Sequence, residues 1–261
     1  HQGQTSKAVT DAIRARAPEA ILQLNHPLWG NIGLWRILGI DPATGRVRST
    51  NDSGAPTGGS EDYDCVEVLN GKDTDNAEDV LAAWLAMLDQ GLFPTAVGNS
   101  DSHRIVGQER GASRTWVEVG LDESDGPVAA VVKALKTGRA TASTGPFLRL
   151  LREPGAGQLT VEMLAPDWLP VDQIELYGGD PEGIGGRSLG SWKPSSSALT
   201  EELSGGVRRW LLQVPAEASQ GQDWVVAVAR GTEPMLPWSE AKALAVTNPL
   251  RLPQAEAAGR K

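Results

Sequence analysis

Two polar segments that directly follow apolar runs contain the residues best suited to bind a metal ion. The run AILQLN leads into His26, and FPTAVGN leads into SDSH, which contains Asp101 and His103. In an extended segment, residues two apart point to the same side, so Asp101 and His103 are expected to face one pocket. A carboxylate oxygen together with imidazole nitrogens suits Zn²⁺, Mn²⁺ or Fe. We therefore identify His26, Asp101 and His103 as candidate metal ligands.

Each of these motifs also has an ordinary structural interpretation. Asp101 and His103 fit equally well as a capping carboxylate and a surface histidine in a turn, because a lone D-x-H is a weak signal. His26 fits as a hydrogen-bonded histidine at the start of a loop. Pro27 restricts the residue before it to extended geometry, so we expect an extended backbone at His26.

Three further charged residues are candidates for the same chemistry. Glu67 lies within the apolar sequence CVEVL. A strand buried on both faces would require this carboxylate to be paired or to bind a metal, whereas a half-buried strand would expose it. Arg114 and Arg139 could bind an anionic substrate through bidentate contacts, although most arginines lie in solvated surface pairs.

Composition and charge argue against several classes of protein. The 261 residues carry a formal net charge of −9 without a cluster of lysine or arginine, which argues against an extended nucleic-acid-binding surface. The single cysteine, Cys65, excludes an intrachain disulfide and a cysteine-rich zinc site. No apolar run approaches the length of a membrane span, so we expect no membrane partner.

Helices and strands alternate in the first part of the chain, where the candidate ligands lie. Helices are predicted at 6–17, 76–89 and 127–136, and strands at 20–25, 65–69, 93–98 and 114–119. Asn76 is the predicted N-cap of the second helix. This alternation favours a parallel sheet or barrel, in which functional residues follow the carboxyl ends of the strands.

The pattern changes after about residue 147. Short β-like runs such as LTVEMLAP and DWVVAVARG are separated by turn residues, and no strong helix lies among them. This part predicts an antiparallel, sandwich-like domain. We therefore divide the chain into a first domain at 1–147, a β domain at 148–253 and a disordered tail at 254–261.

The order of these motifs resembles that of a known family. NHP, VEVLNG, GNSDSH, RTWVEV and STGPFL follow one another as in the second half of a PHP (polymerase and histidinol phosphatase) domain. APDWLPVDQIELYGG and VTNPL resemble the β domain found in a branch that includes carbamate-insecticide hydrolases. The resemblance implies an α/β fold, in which part of a distorted (β/α)₇ barrel precedes a smaller antiparallel β-sandwich-like domain. It also implies two or three divalent metal ions bound by His26, Asp101 and His103, with Glu67 beside them or among the ligands.

The function implied by this resemblance is metal-dependent hydrolysis of a small anionic phosphoester, or of a related ester or carbamate. Divalent ions activate water in such sites, and Arg114 or Arg139 would neutralise developing charge. The ligands of the family's first half have no counterpart before His26 other than His1. An N-terminal chain or segment that completes the barrel is therefore an expected partner. The alternative is a truncated, non-catalytic binding or structural module.

Overall fold

The chain folds into five helices and fourteen strands within the described residues. The computed structural model describes residues 4–41, 44–51, 53–106, 108–120, 126–153, 158–180 and 185–252, so His1 and the predicted tail at 254–261 lie outside it. The first elements are α1 (Ser6–Arg16), β1 (Gln23–Leu24), α2 (Leu34–Leu38), β2 (Cys65–Asn70), α3 (Thr74–Asp89), β3 (Thr95–Asn99), β4 (Arg114–Val117), α4 (Pro127–Lys136) and β5 (Ala140–Ser143). The others are β6 (Phe147–Arg152), β7 (Leu159–Pro166), β8 (Gln173–Gly178), β9 (Arg187–Trp192), β10 (Leu199–Ser204), β11 (Val207–Gln213), α5 (Ala216–Ser219), β12 (Trp224–Pro234), β13 (Lys242–Thr247) and β14 (Leu250–Arg251).

The three predicted helices are all present, with one correction at a terminus. α4 begins at Pro127, which suits the first turn of a helix, and matches the predicted range. In α3 the predicted N-cap is wrong: Asp73 caps the helix, and its side chain accepts a hydrogen bond from the Asn76 N–H at 3.1 Å. None of the helices in the described ranges has the length and apolar character needed to cross a membrane.

The strands form three sheets of different character. β1, β2 and β3 form a parallel sheet in that order. A larger antiparallel sheet has the order β4-β5-β13-β12-β8-β9, with β14 pairing β12. A four-stranded antiparallel sheet has the order β10-β11-β7-β6.

The α/β barrel expected for the first part of the chain is wrong, because within the described residues three strands form the parallel sheet and all the other strands are paired antiparallel. The sequence RTWVEV was expected to continue the alternation, but its strand β4 pairs antiparallel with β5, which follows α4, and so joins the large antiparallel sheet. β4 meets β3 through a side chain, since Thr115 Oγ1 donates to the Gly98 carbonyl at 2.8 Å and accepts from the Gly98 N–H at 3.0 Å. A Cβ at Gly98 would lie 2.9 Å from the Arg114 carbonyl oxygen, so glycine permits this close crossing.

Two hydrophobic cores lie on opposite faces of the large sheet. Along β12, Trp224, Val226 and Val228 pack into the core that also contains Trp84 of α3. The residues between them face the second core, against the four-stranded sheet. This alternation follows from the two-residue repeat of a strand and means that β12 is covered on both faces.

The seven-stranded sheet joins the two parts of the chain that the sequence separated at residue 147. β4 and β5 come from the first part, and the remaining strands come from the second. The first core likewise combines residues of α3 and β2 with residues of β12 and β13. The two parts therefore share both a sheet and a core.

The four-stranded sheet contains a buried carboxylate held by two arginines. Glu162 is 4% exposed, and its oxygens accept from Arg149 Nε at 2.5 Å and from Arg209 Nε at 2.7 Å. Burial disfavours the charged carboxylate, but the hydrogen bonds and charges of Arg209 and Arg149 outweigh it and hold the pKa of Glu162 below that of an ordinary glutamate.

Candidate functional site

The parallel sheet brings the two histidine motifs to one edge. In the ladder, Leu24 lies opposite Val66 and Asn70 lies opposite Asn99. Because the strands are parallel, the loops that follow them leave the sheet on the same side. His26 follows β1, and the Asp101–His103 segment follows β3. We refer to this side of the sheet as the carboxyl edge.

Glu67 lies in β2 next to the carboxyl edge. Its carboxylate accepts hydrogen bonds from residues at, or just after, the ends of all three strands. Its side chain is almost fully buried, at 2% exposure. Oε1 accepts from Asn99 Nδ2 at 2.8 Å, whereas Oε2 accepts from Asn70 Nδ2 at 3.1 Å and from the backbone N–H of His26. A buried carboxylate must be hydrogen-bonded or paired, and these contacts meet that requirement. They occupy three of its roughly four acceptor positions.

His26 has an unusual backbone and an unpartnered ring nitrogen. Its φ is 36°, so the extended geometry predicted from Pro27 is wrong. The bend is held from two sides, because the His26 N–H donates to Glu67 and its carbonyl accepts from Trp29 N at 3.1 Å. Nδ1 of His26 is buried and has no hydrogen-bond partner. Such a group needs a ligand, a water molecule or an ion to compensate for its burial.

Asp101 and His103 form a direct pair on the loop after β3. Asp101 Oδ1 lies 2.9 Å from His103 Nε2, and the two side chains are 43% and 74% exposed. The sequence predicted that both side chains face one pocket from the same side of an extended segment. They do meet, but through a bend in which Asp101 has a φ of 44°. Gln108 holds the loop, because its Oε1 accepts from the backbone N–H groups of His103 and Arg104 at 2.5 and 2.6 Å.

Arg114 lies beside the carboxyl edge at the start of β4. The residue before it, Ser113, donates through Oγ to the Gly71 carbonyl at 2.6 Å, and Gly71 follows β2. Nη2 of Arg114 donates to the Thr144 carbonyl at 3.1 Å, and partial burial lowers the pKa of its guanidinium. This contact leaves other N–H groups of the guanidinium for an anion.

Arg139 lies at the other end of the antiparallel pair that β4 forms with β5. In the antiparallel register Arg114 is opposite Ser143, whereas Val117 is opposite Ala140. Arg139 directly precedes Ala140, and its carbonyl accepts from Glu118 N at 2.9 Å. Three residues of strand span about 10 Å. The structure therefore brings Arg114, but not Arg139, to the carboxyl edge.

The donors at the carboxyl edge fit a divalent cation only in part. Across the described ranges, no three His, Cys, Asp or Glu side chains gather as a group that could hold a metal ion, so His26, Glu67, Asp101 and His103 do not form one ligand set. Asp101 and His103 are the two of these residues whose side chains contact each other directly. The 2.9 Å between Asp101 Oδ1 and His103 Nε2 is a hydrogen-bond distance, so the two atoms are paired with each other. A cation bound by both side chains would have to take the place of this hydrogen bond.

Two residues with clear roles at this edge were not identified from the sequence. Asn99 donates to Glu67, and Gln108 holds the loop that carries His103. An asparagine ends both β2 and β3, in LNG and GNS, and this repetition is a signal that could have pointed to Asn99. Nothing comparable marks Gln108, whose role depends on the fold of its loop.

Comparisons with protein-family models, with curated proteins and with solved structures found no match for this chain.

Proposed function

We propose that the carboxyl edge is part of the active site of a metal-dependent hydrolase. One observation carries the proposal: in the described part of the chain, His26 and Asp101 are the non-glycine residues with positive φ. Strained backbone of this kind concentrates at functional sites, where the surrounding structure holds it in place. Both residues are candidate ligands on motif grounds that are independent of backbone geometry, and both follow strands of one parallel sheet.

Donor chemistry supports the same proposal. Asp101 and His103 offer a carboxylate and an imidazole side by side, and a cation would replace the hydrogen bond between them. His26 has a ring nitrogen without a partner. One or more divalent cations such as Zn²⁺, Mn²⁺ or Fe²⁺ would supply Lewis-acid polarisation of the substrate and a lowered pKa of water. Glu67 orders the backbone that carries His26. Arg114, close to the same edge, is suited to bind a small anionic substrate, which we propose is a phosphoester or a related ester or carbamate.

Further ligands are part of the proposal, because the described residues contain no three-ligand group. We propose that an N-terminal chain or segment supplies them at the carboxyl edge, where β1 is the outer strand of its sheet. Two or three metal ions would then be held jointly, with His26, Asp101 and His103 as the contribution of this chain.

Titration of the purified protein with Mn²⁺ tests the proposal, followed by NMR. A paramagnetic ion broadens signals of nearby residues even when its affinity is low, so broadening centred on His26, Asp101 and His103 is expected. Asp101→Asn should remove most of it. Asp11→Asn is the matched control, since Asp11 is also exposed and lies on the distant α1. Metal-dependent cleavage of a chromogenic phosphodiester would complete the test.

A non-catalytic binding or structural module is the second candidate, and the lack of a three-ligand group in the described residues favours it. Its expected signature is less than one equivalent of Zn, Mn or Fe in the purified protein, no selective broadening by Mn²⁺ and no phosphodiesterase activity. Broadening that spreads over exposed carboxylates, unchanged by Asp101→Asn, would also point to this second candidate.

A further inference from the structure

We propose that Glu67 is a positioning residue that sets the backbone of His26, and that it acts through its hydrogen bonds rather than as a metal ligand. The benefit of this positioning rests on the proposed function, because it concerns how His26 is presented at the carboxyl edge. The structural claim does not depend on that function: one buried carboxylate fixes the positive-φ conformation at His26.

The first argument is the distribution of donors around the carboxylate. Glu67 is 2% exposed, and each of its three N–H donors comes from the end of a different strand. Asn70 and Asn99 bind it through side chains, whereas His26 binds it through the backbone. The backbone contact matters most, because it acts directly on the conformation of the chain at His26.

The second argument is what His26 would do without this contact. Positive φ is disfavoured for a residue with a side chain, and Pro27 further favours extended geometry at the residue before it. Two local preferences therefore oppose the observed φ of 36°. Glu67 accepts the His26 N–H in this conformation and supplies a charge-assisted hydrogen bond, which is stronger than one between neutral groups.

The experiment compares two substitutions that differ in hydrogen bonding. Glu67→Leu leaves the three N–H donors without an acceptor. Glu67→Gln retains one oxygen for the His26 N–H and Asn70, and its amide can donate to Asn99 after that side chain turns over. Glu162→Leu is the matched control, because Glu162 is also a buried carboxylate but lies in the four-stranded sheet.

The primary measurement is the NMR signal of the His26 amide. In the unaltered protein we expect a downfield amide proton that exchanges slowly with solvent. Glu67→Leu should remove both features, Glu67→Gln should retain them largely, and Glu162→Leu should retain them even if it lowers overall stability. The affinity for Mn²⁺ should fall about 10–100-fold in Glu67→Leu, as it does for other residues that orient a metal ligand without contacting the metal. It should fall much less in Glu67→Gln.

Several results would overturn the proposal. Rapid exchange of the His26 amide in the unaltered protein would overturn it. This result needs no variant, so it can be obtained even if Glu67→Leu fails to fold. An unchanged His26 amide signal in Glu67→Leu would also overturn it. So would a His26 amide signal that is disturbed as much in Glu67→Gln as in Glu67→Leu. Failure of the proposed function looks different: no Mn²⁺ binds at all, while the His26 amide still responds to Glu67 as predicted.

Discussion

Arg230 is expected to stabilise the molecule mainly through a buried contact inside the large sheet, and much less through its contact with α3. Its Nε donates to Glu175 Oε2 on β8 at 2.6 Å, and its Nη1 donates to Glu78 on α3. The side chain of Arg230 is 18% exposed, that of Glu175 is 16% exposed and that of Glu78 is 50% exposed. Burial therefore ranks the contact with Glu175 above the contact with Glu78.

The magnitudes follow from these exposures. A hydrogen bond to a charged group in a largely buried setting contributes about 1.5–3 kcal/mol, which applies to Arg230 and Glu175. An exposed ion pair contributes about 0.2–1 kcal/mol, which applies to Glu78. Removing one member of a buried pair costs about 3–5 kcal/mol when the other charge is left alone. Gln173 and Tyr177 still donate to Glu175, so Arg230→Met should cost less, about 2–3 kcal/mol.

Two double-mutant cycles measured by urea unfolding separate the contributions. Arg230→Met is combined with Glu175→Gln in one cycle and with Glu78→Gln in the other, and the coupling free energies are compared. We expect the Glu175 coupling to exceed the Glu78 coupling at least twofold. A Glu78 coupling equal to or larger than that of Glu175 would refute the reasoning, since burial would then not decide the strength of these contacts.

Three further predictions concern the two arginines of the β4–β5 pair, the effect of pH, and backbone strain. Arg114→Gln should lower phosphodiesterase activity about 10²–10³-fold while Arg139→Gln leaves it unchanged; equal losses would contradict the assignment of Arg114 to the carboxyl edge. Burial disfavours the charged form of Glu162, but its arginine partners hold its folded-state pKa below that of an ordinary glutamate. Its stabilising contribution is therefore present above the unfolded-state pKa and is lost as pH falls through the lower folded-state pKa. Urea unfolding from pH 6 to pH 3 should show this loss, and Glu162→Gln should flatten it; an equally steep loss in the variant would contradict it. Asp101→Gly should leave the free energy of unfolding in urea nearly unchanged, because glycine suits the φ of 44° at this position. Asp11→Gly inside α1 should lower that free energy by about 0.5–1 kcal/mol. Equal losses in the two variants would show that the backbone at Asp101 is not strained.

Local elements with strong signals could be predicted from the sequence. The range of α4 follows from Pro127 at its start and Gly138 after its end, both of which act within one turn of the helix. By contrast, α2 has only five residues, so it shows no helical repeat that a sequence could reveal. The cap of α3 was misplaced because both Asp73 and Asn76 are good N-cap residues, and only the course of the loop decides between them.

The sheet to which a strand belongs could not be predicted in the same way. β4 has the composition of the strands that precede it, and nothing in RTWVEV distinguishes a parallel neighbour of β3 from an antiparallel partner of β5. The difference depends on Gly98 and Thr115, which allow the two strands to cross closely without a shared ladder. The carboxyl edge could still be predicted, because β1, β2 and β3 alone are enough to bring His26 and Asp101 to one side.

The short length of β1 explains why a side chain, and not the sheet, determines the position of His26. β1 pairs with β2 at only two positions, Gln23 with Cys65 and Leu24 with Val66. A longer parallel strand would donate its next N–H groups to backbone carbonyls of β2. Here the His26 N–H donates instead to the carboxylate of Glu67, which comes directly after Val66. Because a side chain takes over the role of the ladder at this point, the chain can turn out of the sheet and present the His26 ring at the edge. A single substitution at Glu67 can therefore alter the geometry at His26 while leaving the backbone ladder between β2 and β3 intact.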